Sequence, residues 1–159
     1  MKVRIINVPG DNHCFFHSII HHLKPISNSS VKLKLSVKKL RIVVAKTISK
    51  ISNNNIDKSF VNFYLNDQNF TLKHYLQEIR RNMWAGPLEA LALSKALKIR
   101  IQIFNKSDLS KRGNNYYIKT DPIIDFGDKR KKPLRLVIYG FDFKSSVKNG
   151  CHYDALETV

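Results

Sequence analysis

The hydrophobic period of this chain changes near residue 98, and no other feature limits its fold as much. Before that point apolar residues recur at steps of three and four, the spacing that lines one face of a helix. A short apolar segment, Val3 to Val8, leads into the turn-forming Pro9-Gly10-Asp11-Asn12. From Cys14 to Leu23, Phe15, Phe16, Ile19, Ile20 and Leu23 share a helical face, and Lys24-Pro25 ends the helix because proline cannot continue its hydrogen-bond ladder. A second helix is expected from Ser36 to Ile51, where Val37, Leu40, Val44, Ile48 and Ile51 recur between lysines, and Ser52-Asn53-Asn54-Asn55 reads as a loop. The stretch from Phe60 to Phe70 carries no decisive period, whereas Leu72 to Arg81 reads as helix. A further helix opens at Gly86-Pro87, with proline where its missing N–H costs nothing, and runs through Leu88, Leu91, Ala92 and Leu97.

Beyond that point the pattern is that of strands. Ile99 to Phe104 alternates apolar and polar residues, and Gly113-Asn114-Asn115 turns the chain back into Tyr116 to Lys119, which predicts a hairpin. Leu134 to Tyr139 and Cys151 to Leu156 are expected as two more strands. Helices first and strands last describe an α/β domain of the α+β type, with one central mixed sheet covered by helices. At 159 residues the chain suits a single domain, 1–159, able to bury a core without metal or disulfide staples.

Its net charge of +16 invites a polyanion-binding reading. Lysines outnumber arginines 20 to 8 and are scattered among Asn and Ile, as an A/T-rich coding sequence would produce. The densest basic run, Lys129-Arg130-Lys131-Lys132, has no aromatic residue on which a base could stack, and reads as a solvated loop. Nucleic acid is therefore not the expected partner. No apolar run long enough to span a bilayer and no leader at Met1 are visible, so a soluble, intracellular, cytoplasmic protein is expected. Two cysteines agree with that compartment and leave free thiols for chemistry.

Two strings at opposite ends of the chain carry such chemistry. Gly10-Asp11-Asn12-His13-Cys14 places a thiol at the first turn of a buried helix, where unpaired N–H groups and the helix dipole favour thiolate. The same N–H groups and the turn before them suit an oxyanion loop of Asp11, Asn12 and Cys14. Asn12 fits because asparagine tolerates left-handed backbone angles, and Asp11 because its carboxylate can hold the turn. The second string is Cys151-His152-Tyr153-Asp154. Side chains alternate along a strand, so His152 and Asp154 share a face while Cys151 and Tyr153 take the other. Asp154 can then fix the His152 tautomer, leaving one ring nitrogen to take the thiol proton. A Cys14–Cys151 disulfide is not expected, since Cys151 turns aside. A rival set, His13, His17 and His21 with Cys14, has helical metal-ligand spacing but lacks a completing carboxylate, and no metal site is assigned to it.

Together these residues resemble the ovarian tumour (OTU) family of cysteine deubiquitinases, whose domain is papain-related. Asp11 to Ile19 is similar to the family's Asp-Gly-Asn-Cys-Leu-Phe segment, and Met83-Trp84-Ala85-Gly86-Pro87 to its Trp-Gly helix start. Cys151-His152-Tyr153-Asp154-Ala155-Leu156 resembles its terminal His-Tyr-Asp/Asn block. Two departures stand out: Asn12-His13 where the family usually has Gly-Asn, and Ala85-Gly86 where it often has two glycines. The resemblance implies hydrolysis of isopeptide bonds at the C-terminal glycine of ubiquitin or a ubiquitin-like protein. Cys14 would be the nucleophile, His152 the base and Asp154 its orienter, with Asp11 organising the loop. It also implies that Trp84 helps shape the substrate channel, that no cofactor is needed, and that a monomer acts on ubiquitin or polyubiquitin. Linkage choice would rest on the segments Ile56 to Phe70 and Lys106 to Asn115, read as loops. The composition suits a virus or intracellular bacterium acting in host cytoplasm. Two alternatives remain: an inactive OTU-like ubiquitin-binding module, and a polyanion-binding domain using Lys129 to Lys132.

Overall fold

The computed structural model describes residues 1–23, 35–54, 57–140 and 151–159, within which lie five α-helices and seven strands. Helix α1, Cys14–Leu23, has the bounds expected from its apolar face and buries Phe15, Phe16 and Ile19. The expected stop at Lys24-Pro25 lies outside the described residues. Helix α2, Val37–Asn54, buries Leu40, Val44, Ile48 and Ile51. It runs through Ser52-Asn53-Asn54, expected as loop, because extending an established helix by a polar turn costs little.

Helix α3, Lys58–Asp67, occupies the stretch that carried no decisive period. Its signal is the pair Val61 and Leu65, both buried and four residues apart, diluted by an apolar residue on the wrong face: Phe63 is 71% exposed. Helix α4, Leu72–Ile79, is capped by Thr71, whose hydroxyl accepts the His74 N–H at 3.2 Å, and it ends two residues before the expected Arg81. Helix α5, Pro87–Leu97, begins where the Glu89 carboxylate accepts the Gly86 N–H at 2.6 Å. It ends at Lys98, whose left-handed backbone (φ 52°) turns the chain straight into the sheet.

The strands are β1 Lys2–Ile6, β2 Arg100–Asn105, β3 Leu109–Arg112, β4 Asn115–Ile118, β5 Ile124–Phe126, β6 Pro133–Tyr139 and β7 His152–Thr158. They form one mixed sheet in the order β3-β4-β1-β7-β6-β2-β5, with β2 and β6 parallel and every other neighbouring pair antiparallel. The expected hairpin is corrected. Tyr116 and Tyr117 pair not with Ile99 to Phe104 but with β3, while β2 lies at the far end between β6 and β5. A short 3-10 turn, Lys106–Asp108, makes the difference: Asp108 accepts the Asn105 N–H, so the chain leaves β2 before hairpin pairing can begin. Ile56 to Phe70 and Lys106 to Asn115 are accordingly not simple loops, since α3 fills most of the first and the 3-10 turn with β3 most of the second.

Alternation along the strands divides the core. Leu136 and Ile138 join a large cluster fed by all five helices, whereas Val137 joins Val3, Phe104, Leu109 and Leu156 on the opposite face. The helices thus cover one face, and a second, smaller core fills the curl of the other. No helix among the described residues is long and apolar enough to cross a membrane. The run Lys129 to Lys132 is exposed, with Lys129 paired to Asp125, Arg130 to Asp128 and the Lys131 ammonium on the Lys98 carbonyl.

Gly127 ties the β5 end to β2. Its φ is +105°, and a Cβ there would stand 2.4 Å from the Ile99 carbonyl oxygen, whereas Gly113, at φ +60°, has open space. Gly127→Ala is expected to lower unfolding free energy by about 3 kcal/mol or more, and Gly113→Ala by about 1 kcal/mol. Urea titrations of both variants measure the difference.

Candidate active site

Asp11 folds the chain into α1. Its carboxylate accepts the His13 N–H at 2.8 Å, its carbonyl accepts the Cys14 N–H at 3.2 Å, and the first helical bond, His17 to His13, follows at 2.9 Å. Cys14 is therefore the first helical residue, and it is 1% exposed. Its sulfur accepts the Tyr153 N–H at 3.4 Å, a contact across 139 residues that joins the two ends of the chain. Both cysteines are free thiols.

The strand end supplies the imidazole. His152 Nε2 lies 2.9 Å from Asp154 Oδ1, and against a carboxylate it acts as the donor. Asp154, 3% exposed, also takes the Val8 N–H on Oδ1 at 2.9 Å and the Tyr139 hydroxyl on Oδ2 at 3.0 Å. His152 Nδ1 faces the loop that carries the thiol: a Cβ placed on Gly10 would lie 4.0 Å from it. Cys14, His152 and Asp154 are thus gathered around the start of the interior strand β7, with Tyr153 packed against Phe15 and Trp84.

The family model for OTU-like cysteine protease matches residues 9–136, from the turn before Cys14 into β6. The chain belongs to the OTU-like cysteine protease family. It is 26% identical to ubiquitin thioesterase otu2 of Schizosaccharomyces pombe over 158 residues, 95% of this chain and 44% of that protein. It is equally 26% identical to deubiquitinase OTUD6B of Xenopus laevis, over 99% of this chain and 47% of that protein. The chain spans about half the length of the curated relatives it matches. Among solved folds, the Hazara virus OTU bound to ubiquitin aligns with TM-score 0.59 at 21% identity, covering 98% of this chain and 81% of that one. An OTU deubiquitinase from Wolbachia pipientis aligns with TM-score 0.60 at 18% identity, covering 98% and 88%.

Several OTU features differ from what sequence alone suggests. Positive φ among the described non-glycine residues occurs only at Asn69 and Lys98, so Asn12 replaces the family's glycine without using left-handed backbone. Its N–H has no partner among the described residues, and its carbonyl accepts from Arg41 Nη2 at 2.9 Å. His13, the other departure, has a partner as well: its Nδ1 accepts from the same guanidinium at 2.8 Å. Burial and Arg41 hold the His13 imidazole below its ordinary pKa, so it stays the neutral acceptor this contact requires. His17 instead lies 3.5 Å from Asp11 and His21 pairs with Glu157, which gives the three evenly spaced histidines three different partners.

Arg41 is the residue that sequence reasoning missed. It sits on the inner face of α2, 1% exposed, over the Phe16 ring, and also donates to the carbonyls of Ile79 and Met83. A lone arginine among the lysines of an amphipathic helix reads as solvent face. The signal available was its place beside Leu40, on the apolar side of the stripe. Trp84 has a positional contact too, donating Nε1–H to the Cys151 carbonyl at 3.1 Å, next to His152 in the chain.

Burial acts on the thiol against the helix end. Burial pushes the Cys14 pKa up, the N–H groups of Tyr153 and Phe15 pull it back in part, and Asp11 and Asp154 add to the rise. The surroundings of the thiol thus oppose the charge that the helix end favours. Alkylation of Cys14 by iodoacetamide, followed by peptide mass spectrometry, should be slower at pH 7 than that of a free thiol and still rising above about pH 8.5. A plateau below pH 7 would mean a preformed thiolate–imidazolium pair. Arg41→Met should lower unfolding free energy by about 3 kcal/mol or more in urea titration, because several buried acceptors lose their donor together.

Proposed function

We propose that this chain is a deubiquitinase that hydrolyses the isopeptide bond between the C-terminal glycine of ubiquitin, or a ubiquitin-like protein, and a lysine amine. The observation that carries the reading is the meeting of residues 14 and 153: the Tyr153 N–H rests on the Cys14 sulfur, and the neighbouring His152 holds Asp154 through Nε2, with no hydrogen-bond partner for Nδ1 among the described residues. The names of the curated relatives, a ubiquitin thioesterase and a deubiquitinase, support the substrate class.

In this mechanism Cys14 Sγ attacks the glycine carbonyl carbon as His152 Nδ1 takes the thiol proton. General-base assistance suits a thiol whose pKa is raised, because no thiolate need pre-exist. The resulting oxyanion is received by the Asn12 and Cys14 N–H groups. At 3.2 Å the Cys14 bond to the Asp11 carbonyl is long, and a charged oxygen is the stronger acceptor. Collapse of the tetrahedral adduct breaks the C–N bond while His152 returns its proton to the departing lysine amine. Water, deprotonated by the same imidazole, then cleaves the thioester and restores the thiol. Asp154 holds the Nε2–H tautomer throughout, Asp11 keeps the turn closed, and Trp84 borders the channel for the ubiquitin tail. Thiol, imidazole and carboxylate suffice for this chemistry without metal or organic cofactor. The enzyme is assigned as a monomer acting inside the cell.

A second reading, an inactive ubiquitin-binding module, is favoured by one observation: Cys14 is buried in the resting structure. Ubiquitin carrying a C-terminal thiol-reactive group separates the two. One covalent adduct is expected with the wild type and none with Cys14→Ala, while release of aminocoumarin from the ubiquitin C-terminus should fall by about 10³-fold or more in Cys14→Ala and His152→Ala. Saturable ubiquitin binding with neither adduct nor turnover would establish the inactive module.

A further inference from the structure

We infer that Tyr139 is a positioning residue of the catalytic unit, holding Asp154 through its hydroxyl and His152 through its ring. The inference rests on the thiol-protease reading above. Tyr139 ends β6 and pairs in register with His152, so the two rings stand side by side on one face of the sheet. Their centroids are 5.8 Å apart at an interplanar angle of 34°. The Tyr139 hydroxyl donates to Asp154 Oδ2 at 3.0 Å, leaving Oδ1 to the His152 and Val8 N–H groups.

This division of labour between the two carboxylate oxygens matters because a carboxylate turns about its Cβ–Cγ bond. Pinned at Oδ2 by Tyr139 and at Oδ1 by the Val8 N–H, the group keeps Oδ1 directed at His152 Nε2. The oxygen that Tyr139 contacts belongs to a side chain only 5% exposed, where water is a poor substitute donor. Burial, then the Asp154 hydrogen bond and charge, hold the Tyr139 hydroxyl well above its ordinary pKa. It therefore stays protonated and donating wherever the enzyme could work. The ring does a second thing: it blocks rotation of the imidazole, which would carry Nδ1 away from the thiol loop. Nothing in the apolar pattern of Leu134 to Tyr139 distinguishes this residue, since a strand-end tyrosine is common.

Tyr139→Phe removes the hydroxyl and keeps the ring. On ubiquitin C-terminal aminocoumarin amide it is expected to lower kcat about 10- to 100-fold while KM stays within about twofold. The loss should vanish in an Asp154→Ala background, because the hydroxyl acts only through that carboxylate. Independently of turnover, the ¹⁵N spectrum of His152 should report a single Nε2–H tautomer in the wild type and a mixture in Tyr139→Phe. An unaltered kcat, the same fold loss with and without Asp154, or an unaltered tautomer in Tyr139→Phe would each overturn the assignment. Wild-type protein without Cys14-dependent turnover would instead refute the protease reading, and the tautomer measurement would still decide the role of Tyr139.

Discussion

Strand β7 is hydrogen-bonded along both edges, to β1 from Val3↔Thr158 to Ile6↔Ala155 and to β6 from Arg135↔Leu156 to Tyr139↔His152. The rest of the site depends on that double pairing. A strand clamped on both sides cannot slip by one residue without sending Tyr153 out of the helix-covered core and burying His152 in its place. Register therefore fixes which face carries the imidazole. Because β1 is one of the two clamps, the chain leaving it passes Asp154, donates the Val8 N–H to it, and reaches Cys14 within one turn.

A buried polar cluster then joins the two halves. Arg41 holds the Asn12 carbonyl and His13 imidazole on one side and the Met83 carbonyl on the other. From Met83 the chain runs directly to Trp84, whose indole grips the Cys151 carbonyl. One guanidinium on α2 thereby sets both the loop before Cys14 and the anchor of the strand that carries His152. Glu89 completes the cluster as a fully buried acid, receiving the Tyr75 hydroxyl and the Gly86 N–H at 2.6 Å each, with burial pushing its pKa up. Such groups are costly to bury unless every partner is present, so the arrangement resists partial change. His13 belongs to it, which gives this departure from the usual family residue a structural use.

The upward pull on the Cys14 pKa follows from the same burial. Packing Phe15, Tyr153 and Trp84 around the start of α1 orders the site but removes water from Cys14. Desolvation of a charged sulfur is the largest influence on it and acts against the favourable end of a ten-residue helix. Rigidity and thiolate stability are in opposition here.

Periodicity made most elements legible: α1 and α5 carry the expected bounds, and the spacing of His152 and Asp154 was readable because strand alternation is a local rule. The three blocks that resemble the OTU family were readable for the same reason, each being short and contiguous. What failed to show were features set by partners distant in sequence. The hairpin partner of Tyr116 and Tyr117 depends on a 3-10 turn that no periodicity announces. Arg41 looks like one more cation among lysines until α1 and the Met83 turn close over it. Tyr139 looks like the end of a strand until β7 lies beside it. Sequence by itself determined the helices other than α3, the strands β2, β4, β6 and β7, and the two reactive strings, because those follow from neighbours within a few residues. Tertiary structure alone decided how thiol, imidazole and carboxylate are held, and how strongly burial opposes a charged thiol, because burial and hydrogen-bond partners exist only once the chain has closed.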